Sequence, residues 1–227
     1  MSAKFDFAAI LASSVHDMKN SLSMLINQLE DIGDLWHPTD PEAADKLAHL
    51  QYQSKRLNSQ LVQMLALYKI GNSQYYLDLS DHNIEEFLQE ATLHHSEILK
   101  RQGITIDVVA DSQLQWFFDR HLVYGVINNV LNNAYKYGKK QVRVSAEEEN
   151  GFLVIRVADD GEGYPQEMLT RKQDGPTSIS FESGSTGLGL MFSHQVAELH
   201  VHKNQHGRIV LDNEGLNGGG RFSLYLP

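Results

Sequence analysis

Asn129, Asn133 and Lys136 stand four and three residues apart, a spacing that lines side chains up along one side of a helix. An amide oxygen can enter the octahedral shell of a magnesium ion, and a neighbouring ammonium can neutralise phosphate. The set therefore suits a magnesium-bound polyphosphate. Further on, Asp159-Asp160-Gly161-Glu162-Gly163-Tyr164 follows a strand-like run. A carboxylate there can accept a hydrogen bond from the exocyclic amine of adenine, and the glycines let backbone pass close to a base. Gly184-Ser185-Thr186-Gly187-Leu188-Gly189-Leu190 opens a helical pattern, where free N–H groups and the helix dipole face an anion. Each group is commonplace alone: Asp-Gly is an everyday turn, and asparagine on a helix is an ordinary polar face. The Gly-, Ser- and Thr-rich stretch between the two glycine runs has the composition of a lid.

A fourth group lies near the start, in His16-Asp17-Met18-Lys19-Asn20-Ser21-Leu22. At ~100° per residue His16 projects nearly opposite the Leu11, Val15, Met18, Leu22 stripe, with Asn20 one turn on along the same side. A histidine beside a carboxylate and an amide has the parts of an activated nucleophile: a ring nitrogen, a proton acceptor and an orienting group.

The elements that must hold these groups follow from periodicity. Leu11, Val15, Met18, Leu22, Leu25, Leu29, Ile32 and Trp36 alternate steps of four and three, which predicts one helix from Phe5 to Trp36 with a heptad seam. Pro38 and Pro41 break it. A second seam runs Leu47, Leu50, Ser54, Leu57, Leu61, Met64, Tyr68 and ends at Gly71. Two such helices form an antiparallel hairpin, and two hairpins form a four-helix bundle, so a homodimer is expected.

After residue 72 the pattern changes. Tyr75–Leu79, Ile104–Val109, Leu114–Phe118, Val142–Ala146, Phe152–Ala158, Arg208–Leu211 and Arg221–Leu226 read as strands, with a hairpin turn at Glu147–Gly151. Ser80-Asp81 is placed to cap a helix reaching about Arg101, Asp119 to open the asparagine-bearing helix, and Leu188 to begin the last one. Leu122, Val126, Val130 and Ala134 give the asparagine-bearing helix a buried face. The expected architecture is a helical hairpin over 1–72 followed by a two-layer α/β sandwich over 73–227.

With 19 basic and 29 acidic residues, the net charge of −10 argues against non-specific nucleic-acid binding and against docking on anionic membranes. There is no cysteine, which excludes disulfides and thiolate chemistry. No apolar run approaches the ~20 residues of a bilayer span, and the first seven residues have no apolar core like that of a signal peptide. A cytoplasmic location is the expectation. His200, His202 and His206 straddle a helix end without any cysteine or carboxylate pattern, so they read as structural rather than metal-binding.

Taken in order, these motifs resemble the transmitter part of bacterial sensor histidine kinases. His16–Asn20 is similar to the phosphoacceptor box, Asn129–Tyr137 to the asparagine box, Asp159–Gly163 to the first glycine box and Thr186–Leu190 to the second. The closing run Gly220–Pro227 is similar to the family's last strand. The resemblance implies a dimerisation and phosphotransfer bundle joined to a gyrase-type ATP-binding domain. It implies phosphorylation of His16, with Asp17 as general base and Asn20 orienting water when a partner is dephosphorylated. It implies ATP and Mg²⁺ as cofactors, with Asn133 on the metal and Asn129 and Lys136 near the phosphates. Asp159 would bind adenine, and Tyr137, Gly161, Gly163, Thr186, Gly187, Leu188 and Gly189 would line the nucleotide. The implied partner is a response regulator receiver domain; the alternative is a nucleotide-binding adaptor or phosphotransfer protein that docks a regulator or another kinase.

Two positions depart from the family pattern. Ser21 stands where proline usually bends the first helix, and Ser185 where the second glycine box has its first glycine. Fifteen residues precede His16, too few for a sensor domain, so the input is expected from a longer parent chain or from a separate sensor protein.

Overall fold

A computed structural model describes residues 7–36, 40–170 and 187–227. The chain divides into two compact units between Tyr75 and Tyr76.

The first unit is a hairpin of α1 (Phe7–Leu35) and α2 (Pro41–Gly71). Asp40 caps α2 by accepting from Glu42 N at 3.2 Å, and Pro41 takes the first turn, where no N–H is needed. α1 runs through Ser21 without interruption. The hairpin separates the two rows of each seam. Val15 is buried and Leu22 and Leu29 are half-buried, whereas Met18, Leu25 and Ile32 are exposed. In α2, Ser54 is buried and Leu47, Leu61 and Tyr68 are half-buried, whereas Leu50, Leu57 and Met64 are exposed. One row of each heptad is thus used within the hairpin and the other faces outward. Between the helices Gln51 Nε2 donates to the Leu29 carbonyl at 2.9 Å, and Lys55 pairs with Glu30 at 2.6 Å.

The second unit is built on a five-stranded sheet ordered β2 (Thr105–Ala110), β4 (Gln141–Glu149), β5 (Phe152–Asp159), β9 (Arg221–Leu226), β8 (Arg208–Asp212). β2 and β4 are parallel; the other pairs are antiparallel. Alternate residues Val142, Val144 and Ala146 of β4 are buried, while Gln141 and Arg143 are exposed, the pattern of a sheet covered on one face. The cover is α3 (Ile84–Arg101), α4 (Arg120–Tyr137) and α6 (Leu188–Leu199). A short α5 (Gln166–Thr170) follows the first glycine stretch, and a small β6–β7 hairpin (Val201–His202, Gln205–His206) follows α6.

Several boundaries differ from the sequence reading, and the expected strand Tyr75–Leu79 is strand only from Leu79. β1 is Leu79–Asn83, pairing with β3 (Gln115–Asp119), so Ser80 and Asp81 lie in a strand and Asn83 caps α3, accepting from Glu86 N at 3.0 Å. The non-local strand pairing outweighs the local capping signal. β4 extends to Glu149, where Arg156 of β5 grips both Glu147 and Glu149. The turn shrinks to Asn150-Gly151, both at positive φ (52° and 79°), as a tight hairpin requires.

Candidate functional site

The phosphoacceptor candidates belong to the first unit. His16 lies on the exposed side of α1, 60% accessible, as its angle from the apolar stripe requires. Asp17 Oδ1 is 3.6 Å from His16 Nδ1, and Asn20 Nδ2 is 3.4 Å from the same nitrogen. The carboxylate and the amide therefore gather on the Nδ1 side of the ring. The Asn20 amide nitrogen can only donate, so its contact uses Nδ1 as an acceptor; a proton on Nδ1 held by Asp17, which leaves the lone pair on Nε2, requires Asn20 to turn away.

In the second unit the elements converge where β5, α4 and β9 end or begin. Asp119 opens α4 by accepting from Leu122 N at 3.0 Å, and its other oxygen accepts from Asp78 N at 3.1 Å. Buried Leu122, Val126, Val130 and Ala134 turn one face of α4 inward. Asn129 then donates to the Gly189 carbonyl at 3.2 Å, so the asparagine helix and the second glycine stretch meet. A side chain at Gly189 would stand only 3.1 Å from Asn129. Gly187 sits at φ 62° before α6, and no side chain among the described residues caps the helix, a start whose first N–H groups can face an anion. Asn133 and Lys136 are exposed near the end of α4, the Lys136 ammonium 4.8 Å from the centre of the Tyr137 ring. Thr186, with the expected lid, lies outside the described residues.

Asp159 ends β5. Its Oδ1 accepts from Gly161 N at 2.8 Å and from Gly220 N at 3.4 Å. No described residue donates to Oδ2, which is thus left for a ligand donor. A Cβ at Gly220 would come within 3.3 Å of that oxygen and 3.1 Å of the Tyr164 ring, and one at Gly219 would lie 2.1 Å from the Asp159 carbonyl. Glycine at 219 lets the two backbones approach, and glycine at 220 keeps the space beside Oδ2 open, so the residues fit an adenine amine. Tyr164 is packed beside it; burial, and then the Asp159 and Asp212 carboxylates, push its hydroxyl far above the ordinary tyrosine range. It stays protonated.

Several residues here escaped the sequence reading. Asp160 accepts from three successive backbone N–H groups, of Lys139, Lys140 and Gln141, at 3.1, 2.9 and 3.1 Å. Burial raises its carboxyl, but the three amides outweigh that and hold it below the usual range. Asn213 accepts from Tyr164 N at 2.7 Å and donates to Tyr164 O at 3.0 Å. The Gly218-Gly219-Gly220 run was a readable signal for close backbone approach; Asn213 carried none. His200 is buried, with Nδ1 2.7 Å from the Val196 carbonyl and Nε2 3.0 Å from Asp119 N.

Residues 118–227 match the family model described as histidine kinase-, DNA gyrase B- and HSP90-like ATPase. The sensor protein CzcS of Cupriavidus metallidurans is 27% identical over 227 residues, covering 97% of this chain and 45% of that protein. The chain thus spans less than half the length of this relative. Among solved structures, the Acinetobacter baumannii histidine kinase AdeS superposes with a TM-score of 0.60 at 19% identity, covering 93% of this chain and 96% of that one. Full-length ShkA in complex with AMPPNP gives 0.67 at 19% identity, covering 96% of this chain and 45% of that one. These likenesses establish the fold, a helical region followed by the α/β sandwich of histidine kinase catalytic domains. Residues 118–227 are thus similar to ATPase domains of the histidine kinase, gyrase B and HSP90 type, in a chain similar over nearly its whole length to sensor histidine kinases.

Proposed function

We propose that this chain is an ATP-dependent protein-histidine kinase that phosphorylates His16 and passes the phosphoryl group to an aspartate of a response regulator. The observation that carries the reading is the exposed His16 with its Nδ1 side taken by Asp17 and Asn20, in a chain whose residues 118–227 are similar to ATPase domains. Nε2 attacks the γ-phosphorus, the bond to the bridging oxygen breaks, and ADP leaves. The Nδ1 proton of the resulting imidazolium passes to Asp17. Little covalent chemistry is asked of the protein beyond alignment and charge neutralisation.

In the ATPase domain Asp159 Oδ2 accepts from adenine, while Gly161, Gly163 and Gly220 keep backbone and base close. Asn133 offers its amide oxygen to Mg²⁺. Lys136 and the N–H groups from Leu188 onward meet the phosphates, with Thr186, Gly187 and Gly189 in the same stretch and Tyr137 flanking the site. Asn129 acts by holding α4 to Gly189. Asn20 orients water when the regulator is dephosphorylated.

The active form is a homodimer. The outward rows Met18, Leu25, Ile32 and Leu50, Leu57, Met64 repeat every seventh residue on both helices, and a second hairpin is the partner of matching period. A fully buried side chain of this kind contributes about 1.5–3 kcal/mol, so two such rows give a substantial drive to associate. No helix among the described residues is long and apolar enough to cross a membrane. The reading is tested by titrating the protein with MgATP in a calorimeter. Binding that weakens in Asp159→Asn and loses its magnesium dependence in Asn133→Ala supports it; parent-like binding in both variants refutes the site.

A further inference from the structure

This inference rests on the nucleotide site proposed above and adds two residues to it. The Asp159–Tyr164 loop contains Gly161 and Gly163, the latter at φ 78°, and such a segment has much conformational freedom to lose when it meets a base. Both of its ends are nevertheless tied by side chains. At one end the Asp160 carboxylate gathers the N–H groups of Lys139, Lys140 and Gln141. These amides follow the end of α4, and the loop lies so close to it that a Cβ at Gly161 would come within 2.5 Å of the Tyr137 carbonyl. At the other end Asn213, in the connection between β8 and β9, bonds the Tyr164 backbone in both directions, at 2.7 and 3.0 Å.

The residue types match the tasks. Three converging donors need an acceptor-only group, which a carboxylate is and a carboxamide is not. A peptide unit that must both donate and accept needs a carboxamide, since a carboxylate would set an oxygen against the Tyr164 carbonyl. Asp159 lies between Val142 of β4 on one side and Gly220, just before β9, on the other, its Oδ1 already turned onto Gly161 N and Gly220 N.

We propose that Asp160 and Asn213 are positioning residues for adenine recognition: by tying the glycine loop to the end of α4 and to the β8–β9 connection, they fix Asp159 so that Oδ2 is presented to the base. Neither touches nucleotide. Their removal would act through Asp159, because the binding-competent loop would become one conformation among several.

The test is a double-mutant cycle read by calorimetric MgATP affinity, with thermal melting of each nucleotide-free protein alongside. Asn213→Ala should weaken MgATP by about tenfold in the parent background and by less than about twofold in an Asp159→Asn background, since the group it positions is already lost. Asp160→Asn should behave alike. Should Asp160→Asn fail to fold, Asn213→Ala, in an exposed connection, answers alone. Equal losses in both backgrounds would mark the residues as ordinary stabilising contacts and overturn the inference. Parent-like affinity in Asn213→Ala would overturn it too. If the parent itself does not bind MgATP, the proposed function falls first and this inference with it, a result distinct from a binding parent whose losses are additive.

Discussion

The imidazole of His200, at the end of α6, accepts a hydrogen bond from the backbone N–H of Asp119 at 3.0 Å, joining positions 81 residues apart. Its other nitrogen faces the Val196 carbonyl at 2.7 Å, so the neutral ring with its proton on Nδ1 satisfies both buried backbone groups. The contact pins the start of the asparagine helix to the helix that begins at the second glycine stretch.

This pairing has a pH signature. Burial lowers the His200 pKa, against the smaller upward pulls of the Val196 carbonyl and Asp119. Above the unfolded value of about 6.5 the ring is neutral in both states. As pH falls below that value the unfolded chain takes up a proton that the folded chain resists, so stability is lost. Melting temperature should therefore fall from pH 7.5 to pH 5.5 more steeply in the parent than in His200→Leu. The variant should also be less stable at pH 7.5, by about 1–3 kcal/mol for an unpaired buried backbone N–H. Equal pH dependence in the two proteins would show that the ring does not carry this linkage.

Dimerisation makes a prediction that separates rows on the same helix. Leu25 and Met24 are both exposed in the hairpin, 45% and 62% accessible, but only Leu25 lies in an outward heptad row. Leu25→Glu should give a monomer or aggregate in sedimentation, because burying an unpaired charge at an interface costs several kcal/mol. Met24→Glu should sediment as the parent does, within about 0.5 kcal/mol of its stability. Dimers of equal strength from both variants would contradict the assembly.

The glycines of the adenine cradle should divide by what a methyl group meets. At Gly220 it approaches Asp159 Oδ2 and the Tyr164 ring; Gly220→Ala should weaken ATP by about tenfold or more, roughly 1.4 kcal/mol. At Gly161 it meets the Tyr137 carbonyl at 2.5 Å and Asp159 Oδ1 at 2.7 Å, so Gly161→Ala should weaken ATP as well and, unlike Gly220→Ala, lower the melting temperature even without nucleotide. Calorimetry and thermal melting of the two proteins check both; undiminished affinity in Gly220→Ala would displace adenine from Asp159 Oδ2.

Legibility in the sequence followed the range of the interactions. Asp119 as the opening of α4 and Leu188 as the first residue of α6 could be read because caps and glycines act locally. Asn83 could not be preferred over Ser80 and Asp81 as a cap, because the strand that decides it pairs with residues 115–119. The heptad seams were readable, but which row the hairpin would use was not, since periodicity alone does not tell the two apart. Asp160, Asn213 and His200 were opaque for one reason: each bonds backbone groups distant in sequence, and a backbone N–H leaves no trace in residue identity. Around Asp159 the Asp-Gly spacing marked the cradle but not what holds it.

The central claim is that His16 receives the γ-phosphoryl group of ATP, and a labelling time course tests it most directly. Purified protein is incubated with γ-labelled ATP and Mg²⁺, beside His16→Gln and Asp17→Asn, and the label is challenged with acid and base. The expected result is acid-labile, base-stable label on the parent, none on His16→Gln with its fold and ATP binding intact, and labelling slowed at least about tenfold in Asp17→Asn through loss of the proton acceptor. Label accumulating on His16→Gln as fast as on the parent, or a parent that binds ATP and never labels, would contradict the claim.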